Sequence, residues 1–496
     1  MAPRILLAAA SALALAACTT GPDYAPPRLP HAAAGPFVSL GDPAAAIPAP
    51  AEESWWRLYR DPVLDRLIGE ALAANTDIRV AVARLAKARA ALRGVKADRL
   101  PQAAIGAQAN YDRAPATQRL PGMAAERWSL DTGLDVSYEV DLFGRASRNV
   151  EAARGDVGAA EADAGAVRLA IVADTSRAYA DAASAAERIQ VAERIVALLD
   201  RSLSLTERRR AVGLANRLDV ARIAGLRDQR QAEVPALAAE RQAALFRLAT
   251  LIGRTPAELP ADAGARIATL RLDRPIPVGD GSALLARRPD VHAAERRLAA
   301  STARIGVATA DLYPRITLGG SIGSTAASVG DLFTGGALRW LVGPLLSWAI
   351  NPAPARARIA GAQADTQAAL ATFDGTVLRA LEETETALSS YSQLLRRRAA
   401  LQAARDEAEA AVRVTRARQR EGQIDSLELL DSERTFADAE AQVADADAAI
   451  ARAQIDLFRA LGGGWQSPPG ADAVPAERLS SAAGTPFTPA SRGNVK

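Results

Sequence analysis

From Trp128 to Leu142 the chain alternates between two kinds of residue. Trp128, Leu130, Thr132, Leu134, Val136, Tyr138, Val140 and Leu142 fall on one side. Ser129, Asp131, Gly133, Asp135, Ser137, Glu139 and Asp141 fall on the other. A period of two held this long predicts a β-strand, and one far beyond the roughly five or six residues usual in soluble sheets. An apolar face with an acidic face opposite suits a strand with lipid on one side and water on the other. Asp131, Asp135, Glu139 and Asp141 are then the lumen-facing acids. Just upstream, Ile105, Ala107, Ala109 and Tyr111 alternate with Gly106, Gln108 and Asn110, and residues 115–126 make an extracellular loop between the two strands. A second such pair follows: Ile316, Leu318, Gly320 and Ile322, then Leu338, Trp340, Val342, Pro344, Leu346, Trp348 and Ile350. There Leu341 and Leu345 fall on the lumenal side, so the last strand is less regular.

Between the strand pairs the period changes. Ile171, Thr175, Ala178, Ala182, Ala185, Ile189, Ala192, Val196, Leu199 and Leu203 follow a 4,3 spacing. Leu427, Leu430, Arg434, Ala437, Ala441, Ala444, Ala448, Ala451, Ile455 and Phe458 repeat it. Sustained 3.5 spacing predicts coiled-coil seams. A helix from Arg145 to Val212 reaches on the order of 100 Å at about 1.5 Å per residue. It is too polar for lipid, so it belongs in the periplasm. Gly213 and Gly422 interrupt these helices and suit the sharp stop of a helical hairpin. Pro235 lies inside the helix after Gly213 and should kink it.

The same order occurs twice. A shift of 213 positions carries Asp77, Leu85, Asp98 and Pro101 onto Asp290, Leu298, Asp311 and Pro314. A shift of 209 carries Gly213, Leu218 and Gly253 onto Gly422, Leu427 and Gly462. This is a duplicated architecture. Residues 55–254 form the first repeat, with a strand pair within 102–143 and a tip near 213. Residues 286–464 form the second, with a strand pair within 315–350 and a tip near 422. Residues 255–285 link them. The fold class is therefore a membrane β-barrel joined to a long α-helical coiled-coil barrel, with four strands per chain. Four strands cannot close a barrel in lipid, where about eight are needed. The chain must oligomerise; two copies give eight strands and three give twelve.

The ends add an address. Arg4 precedes an apolar run, Ile5 to Ala17, that is too short to span a bilayer and fits an export signal over residues 1–17. Cys18, the only cysteine, follows Leu15-Ala16-Ala17. This resembles a bacterial lipobox, in which the cysteine becomes an acylated N-terminus carrying diacylglyceryl and N-acyl groups. Thr19 rather than Asp follows, so by analogy with known lipoproteins the destination is the outer membrane. Residues 18–54, rich in Pro and Ala, are expected to form an extended tether, and 465–496 a disordered tail.

Composition narrows the chemistry. The chain is 49% apolar but only 4% aromatic, which favours Ala-rich helices packed closely. A net charge of +3 over 496 residues gives no footprint for nucleic acid. With one cysteine and two histidines, His31 and His292, no structural zinc cluster can form, and no nucleophile motif accompanies either histidine. No phosphate loop of the Gly-x-x-x-x-Gly-Lys type is present. The expectation is a protein without enzymatic activity, metal or other cofactor beyond the lipid on Cys18.

Several segments together resemble the TolC/NodT-type outer membrane factor family, the exit ducts of tripartite efflux pumps. They are Cys18-Thr19 with Gly21-Pro22-Asp23-Tyr24; Trp55-Trp56 with Asp61-Pro62; Asn75-Thr76-Asp77-Ile78; Glu139-Val140-Asp141-Leu142-Phe143-Gly144-Arg145; Arg287-Arg288-Pro289-Asp290-Val291; and Tyr313-Pro314. The resemblance spans about residues 18 to 465. It implies a homotrimer, a twelve-stranded barrel and a twelve-helix periplasmic tunnel. It also implies partners: a periplasmic adaptor (membrane fusion protein) and an inner membrane RND transporter. Glu428 and Asp431 match the acids that ring the periplasmic gate, with Arg418 and Arg420 as candidates to hold it closed. Val212, Gly213, Leu214 and Gly422 match the adaptor-docking tips. The corner from Ser347 to Arg356 departs from the family pattern. A type I protein secretion channel, or a coiled-coil lipoprotein without a pore, are the competing readings.

Overall fold

The computed structural model describes residues 19–465, except Leu29 and positions 114, 116, 118 and 120–123. Cys18 and the tail from residue 466 lie outside the described residues. Four long strands, β1 (Gln102–Arg113), β2 (Glu126–Val140), β3 (Arg315–Ala326) and β4 (Leu338–Ser347), form one antiparallel sheet in sequence order. The helices are α1 (Pro62–Ala74), α2 (Thr76–Ala97), α3 (Arg145–Ala211), α4 (Arg217–Gln231), α5 (Glu233–Leu251), α6 (Gly281–Arg287), α7 (Pro289–Ala310), α8 (Ala353–Arg420) and α9 (Ser426–Ala460).

The duplication holds at the level of element ends. Helices α2 and α7 both have 22 residues and strands β1 and β3 both have 12, each pair offset by 213 positions at both ends. The hairpin return from Arg217 to Leu251 matches α9 from Ser426 to Ala460 at an offset of 209. The two copies differ at one place. The first return breaks at Ala232 into α4 and α5, whereas α9 runs unbroken. Pro235, in the first turn of α5, has no N–H for the carbonyl of Gln231, which accounts for the break.

The seam expected along α3 is buried at Ile171, Thr175, Ala178, Ala182, Ala185, Ala192, Val196 and Leu199. That of α9 is buried from Ala437 onward, at Ala444, Ala448, Ala451, Ile455 and Phe458. Its first turns differ from the expectation. Leu429 and Glu433 are buried, while Leu427 and Arg434 are exposed. Towards the sheet, α3 and α8 are flanked by α2 and α7; towards the tips, they are flanked by α4, α5 and α9.

The expected tether is not free. Phe37, Ala45 and Ala46 are buried, and Ala46–Ile47 pairs in parallel with Ile276–Pro277 of the inter-repeat segment. Both therefore belong to a belt around mid-length of the helices. Its core includes Trp55, which is fully buried, stacked on Phe458 at 4.8 Å and bonded through Nε1 to the Gly463 carbonyl. Asp61 caps α1 by accepting from the Val63 and Leu64 amides, and its other oxygen accepts from Tyr179 and Arg266.

Both tips are built alike. Gly213 has φ +79° and Gly422 φ +72°. The amides of Leu214 and Gln423 bond back to the carbonyls of Arg209 and Arg418, and those of Gly213 and Gly422 to Arg210 and Gln419. This is the Schellman closure, and it needs a left-handed residue. Three residues on, Asn216 and Asp425 cap the return helices. Neither glycine has an atom within 4 Å of where a Cβ would sit, so conformation and not space requires it. Gly213→Ala and Gly422→Ala should each cost about 1–2 kcal/mol locally, measured as faster proteolytic nicking at the altered tip and not elsewhere.

Candidate functional site

The strand register decides which side chains share a face. Ile105, Leu134, Ile322 and Trp340 lie opposite one another in a single row across all four strands. Leu134, Ile322 and Trp340 are all exposed, and Ile105 is 84% exposed. Val136 and Val342 share that face. The opposite face carries Gln108, Asp131 and Thr325 in one row and Ala104, Asp135 and Ser321 in another. Leu341 and Leu345 do fall on this polar face. Tyr111 and Trp128 pair across β1 and β2 with ring centroids 5.3 Å apart, at the loop end of the sheet. Strand β1 pairs only with β2, and β4 only with β3. The chain thus presents a sheet with an apolar face and two open edges.

Three of the four acids expected in the lumen are already engaged. Asp131 accepts from Arg339 at 2.5 Å and from Thr325 at 2.7 Å, a ladder crossing β2, β3 and β4. Arg339 passes over the point where Gly133 faces Gly323. A Cβ on Gly323 would sit 2.2 Å from the Thr132 carbonyl oxygen, so the strands approach there only because the residue is glycine. Glu139 takes a bidentate bond from Arg145, at 2.6 and 2.8 Å. Asp141 lies beyond the strand, which ends at Val140 and not at Leu142; it caps α3 by accepting from the amides of Ala146 and Ser147. Among the described residues only Asp135 of the four is exposed without a bonding partner. Arg339 was invisible in the apolar reading of β4, although its parity with Leu341 and Leu345 places it on the polar face.

At the corner between sheet and helices, Phe143 stacks on Tyr313 at 4.6 Å, joining the two repeats. The second corner is built differently. Strand β4 ends at Ser347, short of the expected Ile350, the Trp348 indole bonds the Leu312 carbonyl, and Asn351 caps α8 through the Ala353 amide. The chain from Thr19 docks at the first corner, with the Thr20 amide and hydroxyl both bonding the Phe143 carbonyl. Arg148, 5% exposed, then fixes Asp23 at 2.6 Å.

Halfway down, helices meet end to end. The side chain of Asn75, which caps α2, also donates to the Leu251 carbonyl that ends α5. At the equivalent place Arg288 donates to the Ala460 carbonyl that ends α9, forks onto Asp290 and reaches Glu383 at 2.7 Å. Burial opposes the charges of Arg288 and Asp290. Their mutual bonds outweigh it, holding the arginine above and the aspartate below its ordinary pKa.

At the tips, Val212 is 70% and Leu214 69% exposed. Glu428 and Asp431 are both exposed and, with Gln423, Ile424, Asp425 and Leu427, line one open depression on the first turns of α9. Asp425 is occupied in capping, by bonds to the amides of Leu427 and Glu428. Arg418 and Arg420 are exposed and bond neither Glu428 nor Asp431 within the chain. No group of three metal-ligating side chains occurs among the described residues, and no helix there is long and apolar enough to cross a membrane.

The family model for "Outer membrane efflux protein" matches residues 67–254 and 281–463. The chain belongs to that family. It is 34% identical over 458 residues to outer membrane protein OprJ of Pseudomonas aeruginosa, covering 92% of this chain and 94% of OprJ. It is 28% identical over 465 residues to the probable outer membrane lipoprotein SilC of Salmonella typhimurium, covering 93% of this chain and 98% of SilC. The solved outer-membrane channel OprN superposes with a TM-score of 0.84 at 39% identity, covering 91% of this chain and all of OprN. As an outer membrane efflux protein, the chain is the outer membrane channel of a tripartite efflux system. The family is one of outer membrane channels.

Proposed function

We propose that three copies of this chain close a twelve-stranded barrel over a twelve-helix tunnel, forming a passive exit duct gated at its periplasmic end. The observation that carries this is the apolar row Ile105, Leu134, Ile322 and Trp340 on a sheet with two unpaired edges. Such a sheet is stable in lipid only when further copies satisfy its edges. In the closed ring, Glu428 and Asp431 of each copy narrow the aperture, and Val212, Gly213, Leu214 and Gly422 meet a periplasmic adaptor coupled to an RND transporter. Cys18 carries the diacylglyceryl and N-acyl groups. The anchoring of Thr20 at the Phe143 carbonyl supports this, because it fixes the chain two residues after Cys18 in sequence at the sheet–helix corner.

Reconstitution of the purified protein in planar bilayers tests the reading. Discrete single-channel conductance is expected. Folded trimers that stay silent, even after Glu428→Gln and Asp431→Asn, would overturn it. Mass spectrometry of the mature N-terminus tests acylation, and Cys18→Ser should abolish it.

A further inference from the structure

Glu433 lies on α9 five residues beyond Glu428 and is 1% exposed. It occupies a seam position between Leu429 and Ala437, where its neighbours on the helix are apolar. All three of its donors converge on one oxygen. Ser202 of α3 reaches Oε1 at 2.8 Å, and Arg416 of α8 reaches the same atom at 3.1 and 3.2 Å. Oε2 is buried with no partner. The other charged group acting on it is Arg201 of α3. From α4, Arg230 is engaged by Glu233 and Asp438.

A buried carboxylate oxygen without a donor costs desolvation that the bonds on Oε1 return only in part. Packing therefore shifts Glu433 towards its neutral form relative to a solvated tip. We propose that Glu433 is a gate-positioning residue, a buried, half-satisfied carboxylate that sets how firmly the turn bearing Glu428 and Asp431 packs against α3 and α8. Ionised, it favours separation of α9 from those helices, which lets water reach Oε2; neutral, it favours the packed tip. Burial raises the Glu433 carboxyl above the ordinary glutamate range, and the donors offset this only in part. The sign follows. A carboxyl raised in the packed state contributes stability at low pH and loses it as pH rises through that raised value. The device rests on the gated-channel reading for its consequence, but not for its existence.

Amide hydrogen exchange of residues 410–436 in the full-length, detergent-solubilised protein tests it, corrected for intrinsic exchange at each pH. Wild-type tip protection should fall as pH rises from the ordinary carboxylate range through the raised value, and level off above it. Glu433→Gln keeps an oxygen for Ser202 and Arg416 and removes the charge. It should flatten that profile and raise protection at alkaline pH by about fivefold or more, the factor that one unsatisfied buried group carries. Arg416→Gln should move the wild-type midpoint to higher pH, a shift that a merely structural brace would not produce. Glu433→Gln exchanging faster than wild type at every pH, or a wild-type profile no steeper than that of Glu433→Gln, would overturn the proposal. In bilayers, open probability should rise with pH in wild type and not in Glu433→Gln. Exchange that behaves as expected beside membranes that stay silent would sink the channel reading and leave the tip device standing.

Discussion

Arg288→Ala is expected to destabilise the chain by about 3 kcal/mol, whereas Asn75→Ala, at the equivalent place in the first repeat, should cost about 1 kcal/mol. Both residues receive the end of one helix at the start of another, but by different chemistry. Asn75 makes neutral bonds to the Leu251 carbonyl and the amides of Asp77 and Ile78. Arg288 is a buried cation serving the Ala460 carbonyl, Asp290 and Glu383 together. Deleting it leaves Asp290 with the Val291 amide and the Ala460 carbonyl with a long bond from Thr384. The figure sits at the low end for a broken buried pair because the Asp290 and Glu383 side chains are 39% and 55% exposed and can rehydrate. Arg288→Lys restores one bond but not the fork, so it should recover only part of the loss. Helical circular dichroism during denaturation measures all three. A pH series adds a second check. Asp290 is held below its ordinary pKa, so its contribution is present above the unfolded carboxylate range and is lost as pH falls through the depressed value. Arg288→Ala should erase that acid-side slope. Equal losses for Arg288→Ala and Asn75→Ala would show that the fork adds nothing.

Glu428→Gln combined with Asp431→Asn is expected to lower the preference of the pore for cations by about tenfold or more, the lower end of what a focused charged constriction supplies. The two acids lie three residues apart in the first turns of α9, both exposed, and neither bonds a cation within the chain. Three copies would bring six such carboxylates to one aperture. Asp135→Asn should do much less. It is the one uncommitted acid among Asp131, Asp135 and Glu139 on the sheet's polar face, and a barrel of twelve strands would be wide enough for water to screen it. Reversal potentials in a salt gradient separate the two sites. Selectivity unchanged by the double substitution, but lost in Asp135→Asn, would move the selective constriction from the tip into the barrel.

Periodicity and internal repetition exposed most of this architecture before any coordinates. The strand faces followed from alternation alone, because side-chain parity in a strand has no freedom once one face is apolar. The tips followed from Gly213 and Gly422, because a left-handed residue narrows the choice to glycine. What escaped was chemistry made by partners distant in sequence. Nothing near Glu433 announces Ser202 and Arg416, and spacing placed Arg434 on that seam instead. Asp131 and Glu139 looked like free lumenal charge until Arg339 and Arg145 met them. Asp141 looked like a strand residue and is a helix cap. The segment after Thr19 looked like a loose tether because Pro and Ala carry little pattern, yet Arg148 and Phe143 hold it in place.

The end-to-end meetings at Asn75 and Arg288 also have a mechanical side. Helices α3 and α8 are continuous beams of 67 and 68 residues, but the partner beside each is jointed at mid-length. The arm beyond the second joint is α9, 35 residues or about 52 Å of helix. Pivoting by one degree at Arg288 displaces its far end by about 1 Å, at the end carrying Glu428 and Asp431. The sheet end, beyond the pivot, need not move. A tube made this way can widen at one mouth while the other stays locked in its membrane, with the belt around Trp55 as the fulcrum.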